Sequence, residues 1–233
     1  MKKTARRILA AIMVLAMMLA CVPMASAANT PDDGGYYYEE YSSYDGVVRI
    51  PYGKITNLTF TKSKGARSFY FYTSDCNIIS IPDGNSPAMY GINDGAAFVY
   101  VEQFDKNDEY ISTLKYIVVV YDSYDAQLTG RVTDVWANNI SMKCEQYAYA
   151  DCNVETEGDV CYYFLTDNIT WDCTYACENG GIYAFDRGTD SIQLFVVDTN
   201  GNVVSTTFDV TVRFTFVQWI RYIFNSMFFW MYR

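Results

Sequence analysis

Part of this chain is written twice. Residues 95–122, "GAAFVYVEQFDKNDEYISTLKYIVVVYD", return as residues 190–214, "DSIQLFVVDTNGNVVSTTFDVTVRF". Phe98 aligns with Ile192, Asp105 with Asp198 and Val118 with Val210, at offsets of 94, 93 and 92 residues. Upstream, Ser68-Phe69-Tyr70-Phe71 aligns with Cys161-Tyr162-Tyr163-Phe164 at an offset of 93. A repeat of this length matches one β-sandwich of about seven short strands, so two such units are expected, meeting near Tyr124. Local pattern agrees. Short runs such as "SFYFYT", "AFVYVEQF" and "STLKYIVVVYD" are rich in Tyr, Phe, Val, Ile and Thr, which suit a pleated, half-buried surface. "PDGN", "NDG" and "DKNDE" between them are turn chemistry.

The N-terminus sets a compartment. Lys2, Lys3, Arg6 and Arg7 precede an apolar run over residues 8–20, and Ala25-Ser26-Ala27 supplies a small-residue cleavage site. Residues 1–27 read as a secretory signal peptide rather than a fold element. Without them the chain keeps 13 Lys and Arg (17 less four) against 27 Asp and Glu, a net charge of −14. Such a surface repels phosphate backbones, which disfavours nucleic-acid binding. Histidine is absent altogether, which removes Ser-His-Asp and Cys-His catalysis and the commonest zinc ligand. No cofactor and no enzymatic activity are expected, and the scattered Asp and Glu read as solvated acids rather than a hydrolytic pair.

Six cysteines follow the signal: Cys76, Cys144, Cys152, Cys161, Cys173 and Cys177. An even count in an exported chain suggests disulfides. Cys173 with Cys177, and Cys152 with Cys161 across "NVETEGDV", are the candidate pairs. Residues 28–45, "ANTPDDGGYYYEEYSSYD", lack aliphatic residues and read as an acidic spacer. A tyrosine stacking patch for sugars is the alternative there. Asp105-Lys106-Asn107-Asp108-Glu109 and Asp198-Thr199-Asn200-Gly201-Asn202 faintly suggest calcium loops, but hairpin turns explain them directly.

In the first unit, Phe71-Tyr72-Thr73-Ser74-Asp75 leads to Ile78-Ile79-Ser80-Ile81, and Gly91-Ile92-Asn93-Asp94-Gly95-Ala96-Ala97-Phe98-Val99-Tyr100-Val101 follows. This resembles the group 2 bacterial immunoglobulin-like domain of intimin- and invasin-type surface proteins. In the second unit, Ile169-Thr170-Trp171, Glu178-Asn179-Gly180-Gly181-Ile182 and Gly188-Thr189 resemble parts of the same pattern, with Ser191 near the position of the family's alanine. The aromatic tail resembles those that close similar repeats in secreted proteins of clostridia-like bacteria. The resemblance implies an all-β fold of two tandem immunoglobulin-like sandwiches, over residues 46–123 and 124–216. Ala97, Val99 and Val101 then belong at the inter-sheet core of the first.

Residues 217–233 have helical period. Trp219, Ile220, Ile223, Phe224, Met227, Trp230 and Met231 fall on one face, while Gln218, Arg221, Tyr222, Asn225 and Ser226 fall on the other. Seventeen helical residues span about 25 Å, short of a hydrocarbon core of about 30 Å, so the segment is not expected to cross a membrane. Either it packs on its own sandwich or it offers its apolar face to a membrane surface or partner chain, and the second reading is preferred. The expected whole is a secreted, extracellular or cell-surface module for binding, adhesion or scaffolding. Its partner would be a surface protein, a glycan or a membrane surface. A polysaccharide-binding accessory of a secreted hydrolase system is the rival.

Overall fold

The computed structural model describes residues 43–177 and 180–231, so the expected signal peptide and most of the spacer lie outside the described residues. The first unit contains β1 (Gly46–Pro51), β2 (Ile55–Asn57), β3 (Ser68–Thr73), β4 (Ile79–Ser80), β5 (Ala88–Gly91), β6 (Gly95–Phe104) and β7 (Tyr110–Tyr121). A four-stranded sheet in the order β1-β7-β6-β3 faces a three-stranded sheet in the order β2-β5-β4. A single 3-10 turn, Asp125–Gln127, leads to the second unit. There β8 (Arg131–Ala137), β9 (Ile140–Lys143), β10 (Tyr147–Tyr149), β11 (Cys152–Glu157), β12 (Tyr162–Asn168), β13 (Thr174–Ala176), β14 (Gly181–Ala184), β15 (Gly188–Asp198) and β16 (Val203–Arg213) follow. The sheet β12-β15-β16-β9 faces β10-β14-β13 and the pair β11-β8. Helix α1 (Phe216–Met231) closes the chain. The fold is all-β, two tandem immunoglobulin-like sandwiches with a C-terminal helix.

The repeat holds down to single atoms. In the β6–β7 hairpin the Asp105 carboxylate accepts the backbone N–H groups of Asn107 and Glu109. In the β15–β16 hairpin the Asp198 carboxylate accepts those of Asn200 and Asn202. Asp108 and Gly201, at matching places, both take positive φ. Edge strands β1 and β9 each run parallel to the second strand of their hairpin. One alignment made from sequence is displaced. Ile192 belongs to the inner core of its sandwich, whereas Phe98 points outward from its own sheet, and Val99 is the inner counterpart of Ile192. A slip of one residue exchanges the faces of a strand.

Each sandwich has its own core. Ala97, Val99 and Val101 of β6 meet Ile50, Phe71, Ile79 and Met89 in the first. Ile192, Leu194 and Val196 of β15 meet Val132, Val135, Ile182 and Phe208 in the second. A third core joins the two units. Ala96, Phe98, Ile117 and Val119 on the outer face of the first large sheet pack against Leu165, Phe195 and Val197 on the outer face of the second. Residues 116–120 and 194–197 are therefore buried on both faces of their sheets, which is why "YIVVV" and "LFVV" are continuously apolar instead of alternating. Tyr44 and Asp45, expected to belong to the spacer, are attached here: Tyr44 packs on this layer and the exposed Asp45 pairs with β7. Tyr44 meets Phe195 edge-on at 5.9 Å, and Asp45 exchanges two hydrogen bonds with the Lys115 backbone.

Within the shared layer Lys115 of β7 forms an ion pair with Asp167 of β12, the side chains 3% and 13% exposed. The ammonium also lies 4.1 Å from the centre of the Phe98 ring and 5.6 Å from that of Phe195. Burial lowers the Lys115 pKa and raises that of Asp167, while each partner's charge opposes the shift. Removing one charge strands the other, at a cost of about 3–5 kcal/mol, whereas replacing both with apolar groups of similar size is near neutral. Lys115→Met alone is therefore expected to lower stability by about 3–5 kcal/mol, and Lys115→Met with Asp167→Leu to recover most of it. Urea unfolding of the two variants checks this; equal loss in both refutes it.

Candidate binding surfaces

Helix α1 begins where its sequence says it should. Thr215 is the N-cap: its hydroxyl accepts the Gln218 N–H at 3.3 Å, and the Gln218 side-chain oxygen accepts the Thr215 N–H at 2.8 Å. This reciprocal pair satisfies two donors that a helix start otherwise leaves open. The Gln218 amide also donates to the Cys144 carbonyl at 3.2 Å, and Tyr222 packs on Phe214, so the first turns are tied to the second sandwich. From Phe216 to Phe224 no side chain is buried. Phe216 and Val217 are 70% exposed and Phe224 is 56% exposed, while Trp219, Ile220 and Ile223 are half-buried. The side chains of Met227, Trp230 and Met231 lie outside the described residues. Among the described residues no helix is long and apolar enough to cross a membrane.

The cysteines are thiols here, so neither expected pair forms a bridge. "NVETE" is not a turn but the extended strand β11, with Cys152 opposite Ala137 and Glu157 opposite Arg131. Cys152 thus stands about 17 Å along the strand from the turn that leads to Cys161, where a bridge needs Cα atoms within about 7 Å. Cys173 and Cys177 bracket β13 and are separated by about 13 Å of extended chain for the same reason. Burial, with Asp190 nearby, pushes the Cys173 thiol up to about 12.

The buried acids are structural clamps. Asp198 accepts four hydrogen bonds, from Val132, Asn200 and Asn202, so its oxygens are committed to closing the hairpin. Among the described residues no group of three or more acids or cysteines is placed to hold a metal ion. Asp190 stands where the first unit has Ala97. Its carboxylate accepts five hydrogen bonds, from the Thr170 hydroxyl, the Asp172, Cys173 and Thr174 N–H groups and the Thr174 hydroxyl. Asn168 holds the same segment through Thr170, Thr174 and Ala176. Together they fix the approach to β13.

What they fix is a surface that the sequence reading missed. Across the outer sheet of the second sandwich, Tyr147 of β10, Tyr183 of β14 and Tyr175 of β13 stand directly opposite one another. Tyr149 stands beside the row, two residues along β10 and 5.2 Å from Tyr147, and Trp171 lies 6.1 Å from Tyr175. These five are between 37% and 63% exposed. The signal was present as outward tyrosines at period two in "QYAYA", "TYA" and "GIYA", on strands of three or four residues.

No family model matches the chain, and no curated protein matches it. Among solved structures, fibronectin(III)-like modules of Clostridium thermocellum CbhA match at 17% identity and TM-score 0.28, over 72% of this chain and 90% of that one. Domains 4 and 5 of the S-layer protein SbsC match at 12% and 0.27, over 66% and 74%. Chicken VE-cadherin EC1-2 matches at 14% and 0.27, over 73% and 98%. Scores this low lend nothing to a functional assignment.

Two outcomes follow from the geometry. The hydrogen bonds to Asp190 outweigh its burial, which alone would raise the pKa, and hold the pKa below the ordinary value. Its contribution is therefore full above the unfolded value of about 3.9 and is lost as pH falls through the folded one. Asp190→Asn is expected to lose about 1.5–3 kcal/mol at neutral pH. In urea unfolding the difference from wild type should narrow at about pH 3. In native thiol titration the exposed Cys76 should react first and the buried Cys144 and Cys173 only on unfolding; mild reduction should leave the melting temperature unchanged.

Proposed function

We propose that this chain is an exported, non-enzymatic binding or scaffolding module of the cell surface, built from domains of the group 2 bacterial immunoglobulin-like type. In this reading α1 attaches it to a membrane surface. The supporting observation is the open apolar side of the helix: Phe216, Val217 and Phe224 stand in solvent although the sandwich beside them has a complete core. Residues 212–233 carry three arginines and no acid, in a chain with an acidic excess elsewhere. This segment therefore does not repel an anionic lipid headgroup region. Trp219, Ile220, Ile223, Phe224, Met227, Trp230 and Met231 are the proposed contact residues. The rival, a polysaccharide-binding accessory, gains support from the tyrosine row.

Burying a Phe or Trp side chain contributes roughly 1.5–3 kcal/mol before ordering is subtracted. Changing Phe216, Trp219 and Phe224 together to Ser should lower partition onto phosphatidylcholine vesicles doped with phosphatidylglycerol by more than about tenfold. The melting temperature should stay close to that of wild type. Co-sedimentation and thermal unfolding of the same variant check both. Unchanged sedimentation with a lower melting temperature would mean that the helix serves only its own sandwich.

A further inference from the structure

We infer that the outer sheet of the second sandwich is a binding platform for a neutral polysaccharide. The inference rests on reading the chain as a binding module and names the ligand class of a surface separate from α1. The duplication supplies the control. Strands β2, β5 and β4 of the first unit are the counterparts of β10, β14 and β13, and their matching outward positions hold Ile55, Tyr90 and Ser80. The second unit holds Tyr147, Tyr183 and Tyr175 instead. Since the first sheet forms without an aromatic row, the fold does not require one.

The chemistry of the row selects the ligand. Neighbouring strands stand about 4.8 Å apart, close to the length of one pyranose unit. Successive rings can therefore lie under successive sugars and meet their C–H faces, while the phenol hydroxyls reach sugar hydroxyls at the edges. Phe185, 4.5 Å from Tyr175 and tilted by 30°, backs the ring from the side. The segment ends that frame the platform carry exposed Glu145, Asp151, Asp172 and Asp186 against Lys143 and Arg187. That balance repels polyanions and leaves carboxylates to accept sugar hydroxyls, so an uncharged chain fits better than an acidic one.

The test is affinity electrophoresis of the full exported chain in gels containing hydroxyethyl cellulose, xylan or glucomannan, with polygalacturonate as the acidic control. Retardation by at least one neutral polymer and none by polygalacturonate is expected. Tyr147→Ala, Tyr175→Ala and Tyr183→Ala combined should weaken it at least about tenfold, while Tyr90→Ala in the first unit should leave it unchanged. Should the triple variant not fold, the shift of Trp171 fluorescence on adding the retained polymer to unmodified protein, absent in Trp171→Phe, reads the same contact. Deleting residues 217–233 should abolish vesicle binding and leave retardation intact, so the two readings fail separately. No retardation by any neutral polymer overturns the proposal, as does undiminished retardation of the triple variant. Self-association of the wild type that the triple variant abolishes would overturn it in favour of a second copy of the chain.

Discussion

The layer between the two large sheets holds the two sandwiches together. An immunoglobulin-like sandwich normally leaves the outer faces of its sheets to water, and tandem copies then behave as beads on a string. Here Phe98, Ile117 and Val119 of one unit and Leu165, Phe195 and Val197 of the other remove the centre of those faces from solvent. Lys115 and Asp167 sit inside that layer, where the loss of hydration opposes their attraction. A buried pair of this kind contributes little net stability, but it penalises any sliding that would separate the charges while they remain dry. Arg49, donating to the Thr199 carbonyl and lying over the Tyr121 ring, adds a second link across the units. Apolar area thus supplies the attraction and the charges restrict the register.

Duplication followed by divergence explains where the second unit differs. The hairpins around Asp105 and Asp198 have kept the same turn, hydrogen bond for hydrogen bond. The change from Ala97 to Asp190 is of another kind. Alanine there lets two sheets approach; aspartate puts a buried carboxylate under the loop that precedes β13 and organises it with five hydrogen bonds. A charged group in a core is destabilising unless satisfied, and every one of these partners comes from residues 170–174. The ordered loop in turn holds Trp171 beside Tyr175. The polar core substitution and the aromatic surface are two ends of one local structure.

Long, periodic features were legible in the sequence. The repeat, the β pattern, the inward Ala97, Val99 and Val101 and the amphipathic C-terminal helix all follow from residue order, because each rests on several residues agreeing. Features resting on one or two residues were not. Cys152 and Cys161 looked like partners across a turn because eight polar-rich residues lie between them, but Cys152 and Val154 alternate with exposed Asn153 and Glu155, and the stretch pairs with β8 as a strand. The unbroken apolar runs at residues 116–120 and 194–197 were read only as strand signals. Their continuity also meant burial on both faces, and hence the stacked sandwiches. The tyrosine row escaped because its members come from three short strands whose register only the folded sheet reveals.

The two candidate surfaces meet at one place in the chain. Gln218 of α1 donates to the Cys144 carbonyl, the Cys144 thiol donates to the Phe185 carbonyl at 3.1 Å, and the Phe185 ring packs on Tyr175. Glu145 holds a positive φ here, and its N–H donates to the Ala184 carbonyl, fastening the start of β10 to the end of β14. The segment from Cys144 to Gln146 therefore carries the helix on one side and the first tyrosine of the row on the other. Neither surface is a loose appendage, since each is hydrogen-bonded to the same few backbone groups beside a closed core. An open helix face and a row of exposed aromatic rings are both costly for a solitary domain to expose. Their common anchorage ties the two proposed surfaces to one segment of the second sandwich, which the dry layer joins to the first.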